Sequence, residues 1–219
     1  GDVFKYFWKR EEHLVLQQFP EDEISLRKFS LLLRECGGTI QTFQVVNNGI
    51  SKSVFYSYVK KRGLEQVAHG VYVSPDTWTD AMYILHLRCG QAVFSHENAL
   101  FFHKLTDREP LKYTITVRTG YNPSRLLEDR FQVYTVKKEL HEIGITTMQT
   151  SFGHAVPVYD MERTICDLLR SRNNIEIQVF QDALKQYAIR KDKNLRVLMK
   201  YAALFHVENI LRPYLEVLL

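Results

Sequence analysis

Apolar positions recur first at helical and later at alternating spacing, and the changes of period divide the chain. Leu26, Phe29, Leu32 and Leu33 fall on one face of a helix expected from about Ser25 to Cys36, which Gly37-Gly38 ends. A short helical stretch follows from Gln41 to Asn48, with Phe43 and Val46 expected inward. After Gly49 a longer helix runs from Ser51 to Arg62 and stops at Gly63. Glu65 to Ala68 and Val71 to Ser74 flank His69-Gly70, a hairpin signal because glycine accepts the positive φ of a tight turn. Ahead of these, Phe4, Phe7, Trp8, Leu14 and Leu16 outline an amphipathic helix over residues 4 to 18, closed by Phe19-Pro20.

Ser74-Pro75-Asp76 is turn chemistry, and helical spacing resumes with Ala81, Ile84 and Leu85. Beyond that point helices are expected near 79–89 and 95–104, and strands near 112–118, 131–136, 145–150 and 155–159. Helices near 160–171, 175–188 and 193–218 follow, the last with a break before Pro213. The expected fold is α+β, an N-terminal winged helix-turn-helix followed by a mixed α/β domain that ends in helices. Residues 1–24 form an extension without an assigned role, 25–78 the winged domain and 79–219 the second domain.

Length fits this division, since 219 residues exceed what one small winged domain needs. With 45% hydrophobic residues the chain can bury a core and does not read as disordered. Cys36, Cys89 and Cys166 are too few and too far apart for a disulfide framework or a zinc site. No run reaches the roughly 20 apolar residues of a membrane span, and the start lacks the pattern of a signal peptide. A cytoplasmic protein with no membrane association is expected.

Net charge is only +4, so its distribution matters more than its total. Between Thr39 and Pro75 the charged residues are Lys52, Lys60, Lys61 and Arg62 against Glu65 alone, whereas the first 23 residues mix Lys5, Lys9 and Arg10 with six acids. With Ser51 as N-cap, Val54, Phe55, Tyr58 and Val59 face inward along the helix that follows. Lys52, Ser53, Tyr56, Ser57 and Lys60 then share the opposite face. Lysines reach phosphates or guanine edges, and hydroxyls and a phenol make adaptable contacts near bases. Exposed lysines ordinarily do no more than solvate a helix. The order of parts tips the balance: support helix, short helix, glycine turn, polar-faced helix and hairpin together make a DNA reader. The expected double-stranded DNA contacts are Ser51, Lys52, Ser53, Tyr56, Ser57, Lys60, Lys61 and, at the hairpin tip, His69.

The run Asn48-Gly49-Ile50-Ser51-Lys52-Ser53-Val54-Phe55 and the stretch Gly63 to Asp76 resemble the N-terminal domain of AbiEi-type antitoxins. Phe94 to Leu100, Leu105-Thr106-Asp107 and Tyr159 to Arg170 resemble that family's second domain, so the likeness covers about residues 25 to 219. The first 24 residues depart from it. The resemblance implies a transcriptional repressor of an abortive-infection, type IV toxin-antitoxin operon, one that binds promoter inverted repeats. It also implies that the chain counteracts a nucleotidyltransferase toxin without stable direct contact. No dimerisation zipper is visible, and a monomer that pairs on DNA is expected.

Chemistry elsewhere is weaker. His96 and His103 lie two helical turns apart, a poor spacing for a shared metal, and Ser95 reads as a helix N-cap with Glu97 in the first turn. Asp160, Glu162 and Asp167 have the residue types of a magnesium site, but capping by Asp160 and ion pairing with Arg163 explain them more simply. Cys166 reads as a small core residue. GxxxxGK, GxGxxG, GxSxG and HExxH are all missing, so no catalytic, metal or cofactor site is expected and the chain reads as a non-enzyme. Lys185, Arg190, Lys191, Lys193, Arg196 and Lys200 form a second basic stretch, opposed only by Asp182 and Asp192. Arg190, Lys191, Lys193 and Arg196 either extend the DNA footprint or solvate helix faces. Two other readings stay open: a binding module whose second domain holds the toxin directly, and, remotely, a metal-dependent nuclease around Asp160 and Glu162.

Overall fold

The computed structural model describes residues 21–128 and 131–219 and is of the mixed α+β class. The helix expected over residues 4 to 18 lies outside the described residues. Contacts divide the chain into two compact units between Thr79 and Asp80.

The first unit contains α1 (Glu21–Glu35), β1 (Thr39–Gln41), α2 (Thr42–Asn47), α3 (Lys52–Arg62), β2 (Glu65–Ala68) and β3 (Val71–Val73). Helix α1 begins four residues ahead of the expected boundary at 25. Near its start Glu23 pairs with Arg27 one turn later at 3.5 Å. Phe29 is fully buried, with ring centroids 5.8 Å from Phe55 and 5.3 Å from Tyr58, and Tyr72 meets Phe55 edge-on at 5.2 Å. These aromatic contacts join α1, α3 and β3 into one core with Ile40, Val45 and Ile50. The chain leaves α1 through Gly38 at φ 83°, where an added Cβ would lie 1.9 Å from Thr77 Oγ1, so backbone angle and space both require glycine.

The strands form an antiparallel sheet of order β1-β3-β2, with a bulge between Gln66 and Ala68 and the turn at His69-Gly70. Strand β1 went unread in the sequence because three residues carry no alternation. The inward assignment of Phe43 and Val46 is corrected. Phe43 is 57% and Val46 39% exposed, whereas Val45 is fully buried. A six-residue helix is too short for apolar spacing to fix its phase. Here the phase follows from β1 pairing and from Gln44, whose Oε1 accepts the Gln41 amide at 2.8 Å.

The second unit carries a five-stranded mixed sheet, with Gln132–Val136, Thr114–Arg118, Val93–Phe94, Ala155–Tyr159 and Ile145–Gln149 in that order across it. Its elements are α4 (Ala81–Arg88), β4 (Val93–Phe94), α5 (His96–Phe102), β5 (Thr114–Arg118), α6 (Ser124–Glu128), β6 (Gln132–Val136), α7 (Lys138–His141), β7 (Ile145–Gln149) and β8 (Ala155–Tyr159). Helices α8 (Met161–Arg170), α9 (Ile177–Ala188), α10 (Leu195–Leu204) and α11 (Glu208–Leu218) follow. Leu85, Phe94, Ile115 and Val158 pack one apolar cluster; Ile165, Leu168, Phe180, Leu184, Leu198 and Leu211 pack another among the helices. The break expected before Pro213 lies instead at Phe205-His206-Val207. His206 takes φ 57°, and the Val207 amide bonds back to the Ala202 carbonyl at 2.9 Å, a helix ending that buries both Phe205 and Val207. Pro213 sits inside α11 on a solvent face, where water can satisfy the carbonyl its missing N–H leaves free. Among the described residues no helix is long and apolar enough to cross a membrane.

Candidate nucleic-acid interface

Helix α3 owes its limits to its two ends. Ser51 is extended, and its hydroxyl accepts the Val54 amide at 3.3 Å; at the other end Gly63 takes φ 65° and donates to the Val59 carbonyl. Phe55 and Tyr58 are buried and Val54 and Val59 half-buried, so one face is committed to the core. Lys52, Ser53, Tyr56, Lys60 and Lys61 are exposed and Ser57 is half-exposed. The helix holds no acid, and its first turn leaves the positive end of the dipole unopposed. Arg62 is spent differently: it donates to Ser30 Oγ at 2.7 Å and lies 5.9 Å over the Phe29 ring, fastening α3 to α1.

Lys52 and Tyr56 line a groove with His69 from the hairpin tip. Phe43 and Val46 of α2 and Gln66 of β2 line it too, and sequence reasoning missed all three. The signal for Phe43 and Val46 was present but assigned to the wrong side of α2; Gln66 stood in a strand whose exposed face had no distinguishing pattern. Burial and the neighbouring Tyr56 phenol push the Tyr72 hydroxyl above its usual range, and the two rings stand 6.4 Å apart. Ser53 lies outside the groove, its hydroxyl 3.1 Å from that of Ser51. Ser57, Lys60 and Lys61 also lie outside it, the two lysines in the last turn. The predicted residues therefore separate into a grooved first half and a cationic second half.

The second basic stretch behaves otherwise. Arg190 grips both Asp192 carboxylate oxygens at 2.8 and 2.9 Å and donates to the His103 carbonyl at 2.8 Å. Lys193 bonds the Arg190 carbonyl at 3.1 Å. These two cations fasten the turn between α9 and α10, while Lys191 and Arg196 are exposed.

Asp160, Glu162 and Asp167 turn to separate partners. Asp160 caps α8 by accepting the Arg163 amide at 2.7 Å and also accepts from the Tyr201 hydroxyl. Glu162 accepts from the Tyr187 hydroxyl at 2.9 Å and the Asn194 amide at 2.8 Å. Of the three acids, Asp167 is the one that forms the ion pair with the Arg163 side chain, at 3.0 Å. Arg163 is fully buried, donates to the Leu140 and Ile143 carbonyls at 2.7 Å, and lies over the Tyr159 ring at 3.9 Å. Gly144, at φ 76°, makes room for it, since a Cβ there would stand 2.8 Å from the Arg163 Cβ.

Ser95 occupies the N-cap position of α5 without capping it. Its hydroxyl instead meets His96 Nδ1 at 2.8 Å and Thr116 Oγ1 at 2.7 Å, and Thr114 Oγ1 accepts the Asn98 amide. His96 Nε2 meets Ser171 and His103 Nε2 meets the Tyr159 carbonyl, so the two rings serve different partners. Cys166 is fully buried, and burial pushes its thiol up to about 12. Among the described residues no group of three or more His, Cys, Asp or Glu is placed to hold a metal ion.

No protein-family model matches the chain, and no curated protein does. Among solved structures it is similar to the RV2827C protein from Mycobacterium tuberculosis, with a TM-score of 0.55 over 80% of this chain and 69% of that one. The two sequences are 12% identical, and the likeness concerns the fold alone.

Proposed function

We propose that the chain is a DNA-binding transcriptional repressor and antitoxin, not an enzyme, with a winged helix-turn-helix in its first unit. In this reading α2 and α3 are the two helices of the motif, α3 enters the major groove, and the β2–β3 hairpin is the wing. The carrying observation is the outer face of α3. Lys52, Lys60 and Lys61 are exposed on a helix without an acid, while Arg62, which could have joined them, is turned to α1. A helix with exposed cations and hydroxyls opposite an aromatic core matches the needs of phosphate and base-edge contact.

The AbiEi resemblance extends the proposal to autoregulation through promoter inverted repeats, by a monomer that pairs on DNA, and to action against a nucleotidyltransferase toxin. A second reading, direct retention of that toxin by the second unit, draws support from an apolar groove lined by Leu184, Pro213, Tyr214 and Val217, the last 85% exposed. The test is binding of the chain to its own promoter fragment and to a scrambled duplex, with and without the product of the neighbouring reading frame. A repressor shifts the promoter selectively and in a salt-dependent manner. Equal, salt-insensitive behaviour on both duplexes overturns the proposal, and co-purification with the neighbouring product favours the second reading.

A further inference from the structure

The groove of the first unit has a composition that phosphate contact does not explain. Phosphate calls for cations and N–H donors, and Lys52 and His69 supply these. Phe43 and Val46 have nothing to offer it. They are nevertheless 57% and 39% exposed, one turn apart on α2 in an i, i+3 relation, and they face the same space as Lys52 and Tyr56. Two solvent-facing apolar side chains beside Lys52, at the N-terminal end of α3, form an apolar patch next to a cation.

Double-stranded DNA presents one apolar group on the floor of its major groove, the C5 methyl of thymine. Three amides share the space, Gln41, Asn47 and Gln66, and the exposed Gln66 has the donor and acceptor pair that matches adenine N6 and N7. We infer that this groove reads thymine methyls through Phe43 and Val46, so that α2, and not α3 alone, determines sequence preference. The inference rests on the DNA-binding reading above and adds to it a base class and the side chains that recognise it. The competing occupant of an apolar patch is the deoxyribose of the backbone, which would give affinity without preference for any base.

The experiment starts from a randomised 30-base-pair duplex pool, enriched on the full chain to define a bound site. Each thymine of that site is then replaced by uracil, which deletes only the methyl group. One or more positions should weaken binding about four-fold, the value of one buried methyl. In Phe43→Ala that penalty should vanish, the thymine and uracil duplexes then binding alike, and Val46→Ala should reduce it. Both side chains are exposed, so neither substitution opens the core. If the chain binds the selected duplex and no thymine-to-uracil change matters, the groove contacts sugar and the inference fails while the DNA-binding reading stands. The same holds if the penalty persists in Phe43→Ala. If no duplex is bound at low salt, both fail together.

Discussion

Helices α3 and α8 are of similar length and both carry several charged residues, yet they use them in opposite ways. On α3 the lysines point out and find no acid on their own helix. Nearly all of α8 is buried, including Glu162, Arg163 and Asp167, and each of those side chains is met by a specific partner. Charge held inside must be satisfied by the fold itself, whereas charge left outside without partners is available to another molecule. Ionisable residues near a junction therefore suggest a catalytic centre in α8 only until their partners are seen. The lysines of α3 suggest an interface because none has a partner among the described residues.

The sharpest way to break the contrast is to remove the centre of α8. Arg163→Ala leaves the buried Asp167 with Arg170 alone, at 3.5 Å, and loss of one member of a buried pair costs about 3–5 kcal/mol. Chemical denaturation should show that loss in the second unit. A change below about 1 kcal/mol would mean that the buried charges are not structural. Acid is the next probe. Burial, with Arg163 and Arg170 nearby, lowers His96 to about 3, while an unfolded histidine titrates near 6.5. Below about pH 6.5 the unfolded chain takes up a proton that the folded chain refuses, so this contribution is present at neutral pH and is lost on acidification, by about 1.4 kcal/mol per pH unit. Burial raises Asp160 and Asp167, which act in the opposite sense: their contribution is lost as pH rises. The difference between parent and His96→Asn, a residue that tolerates φ 50°, isolates the histidine. Parallel stability curves between pH 7 and 5 would contradict it.

Smaller effects separate the two helices further. Asp160→Ala removes the α8 cap and should cost about 1 kcal/mol in thermal unfolding. Duplex DNA should stay intact with or without magnesium; magnesium-dependent cleavage lost in this variant would restore the nuclease reading. Lys60→Ala should leave stability alone and weaken all duplexes alike, flattening the slope of log affinity against log salt by roughly 0.9. His69→Ala should do the same more mildly. A Lys60 effect confined to one sequence would place that residue at a base edge.

The two faces of α3 were legible because three turns of helix, an N-cap serine and a terminal glycine fix the phase unambiguously. Helix α2 was not, since in six residues Phe43, Val45 and Val46 fit a core equally well and only pairing of β1 chooses Val45. The partner of Arg163 was ambiguous for a related reason. Asp160 and Asp167 both lie within a turn of it, and the choice depends on Gly144 and on carbonyls of Leu140 and Ile143, some twenty residues away in sequence. Ser95 shows the same limit: its position gave the helix start, but its hydroxyl was claimed by Thr116 on a neighbouring strand. Turn chemistry and long periodic segments are local; the use of a polar side chain inside the fold is not.

The central claim is that the outer face of α3 reads DNA, and selectivity tests it more directly than affinity. Lys52→Ala and Tyr56→Ala are titrated against the promoter duplex and a scrambled duplex over a range of salt, with unfolding midpoints measured alongside. Each variant should keep the parent's stability and lose about 1–3 kcal/mol of preference for the promoter, the worth of one good base contact. Variants that fold normally and discriminate as well as the parent would show that this helix is not the reader.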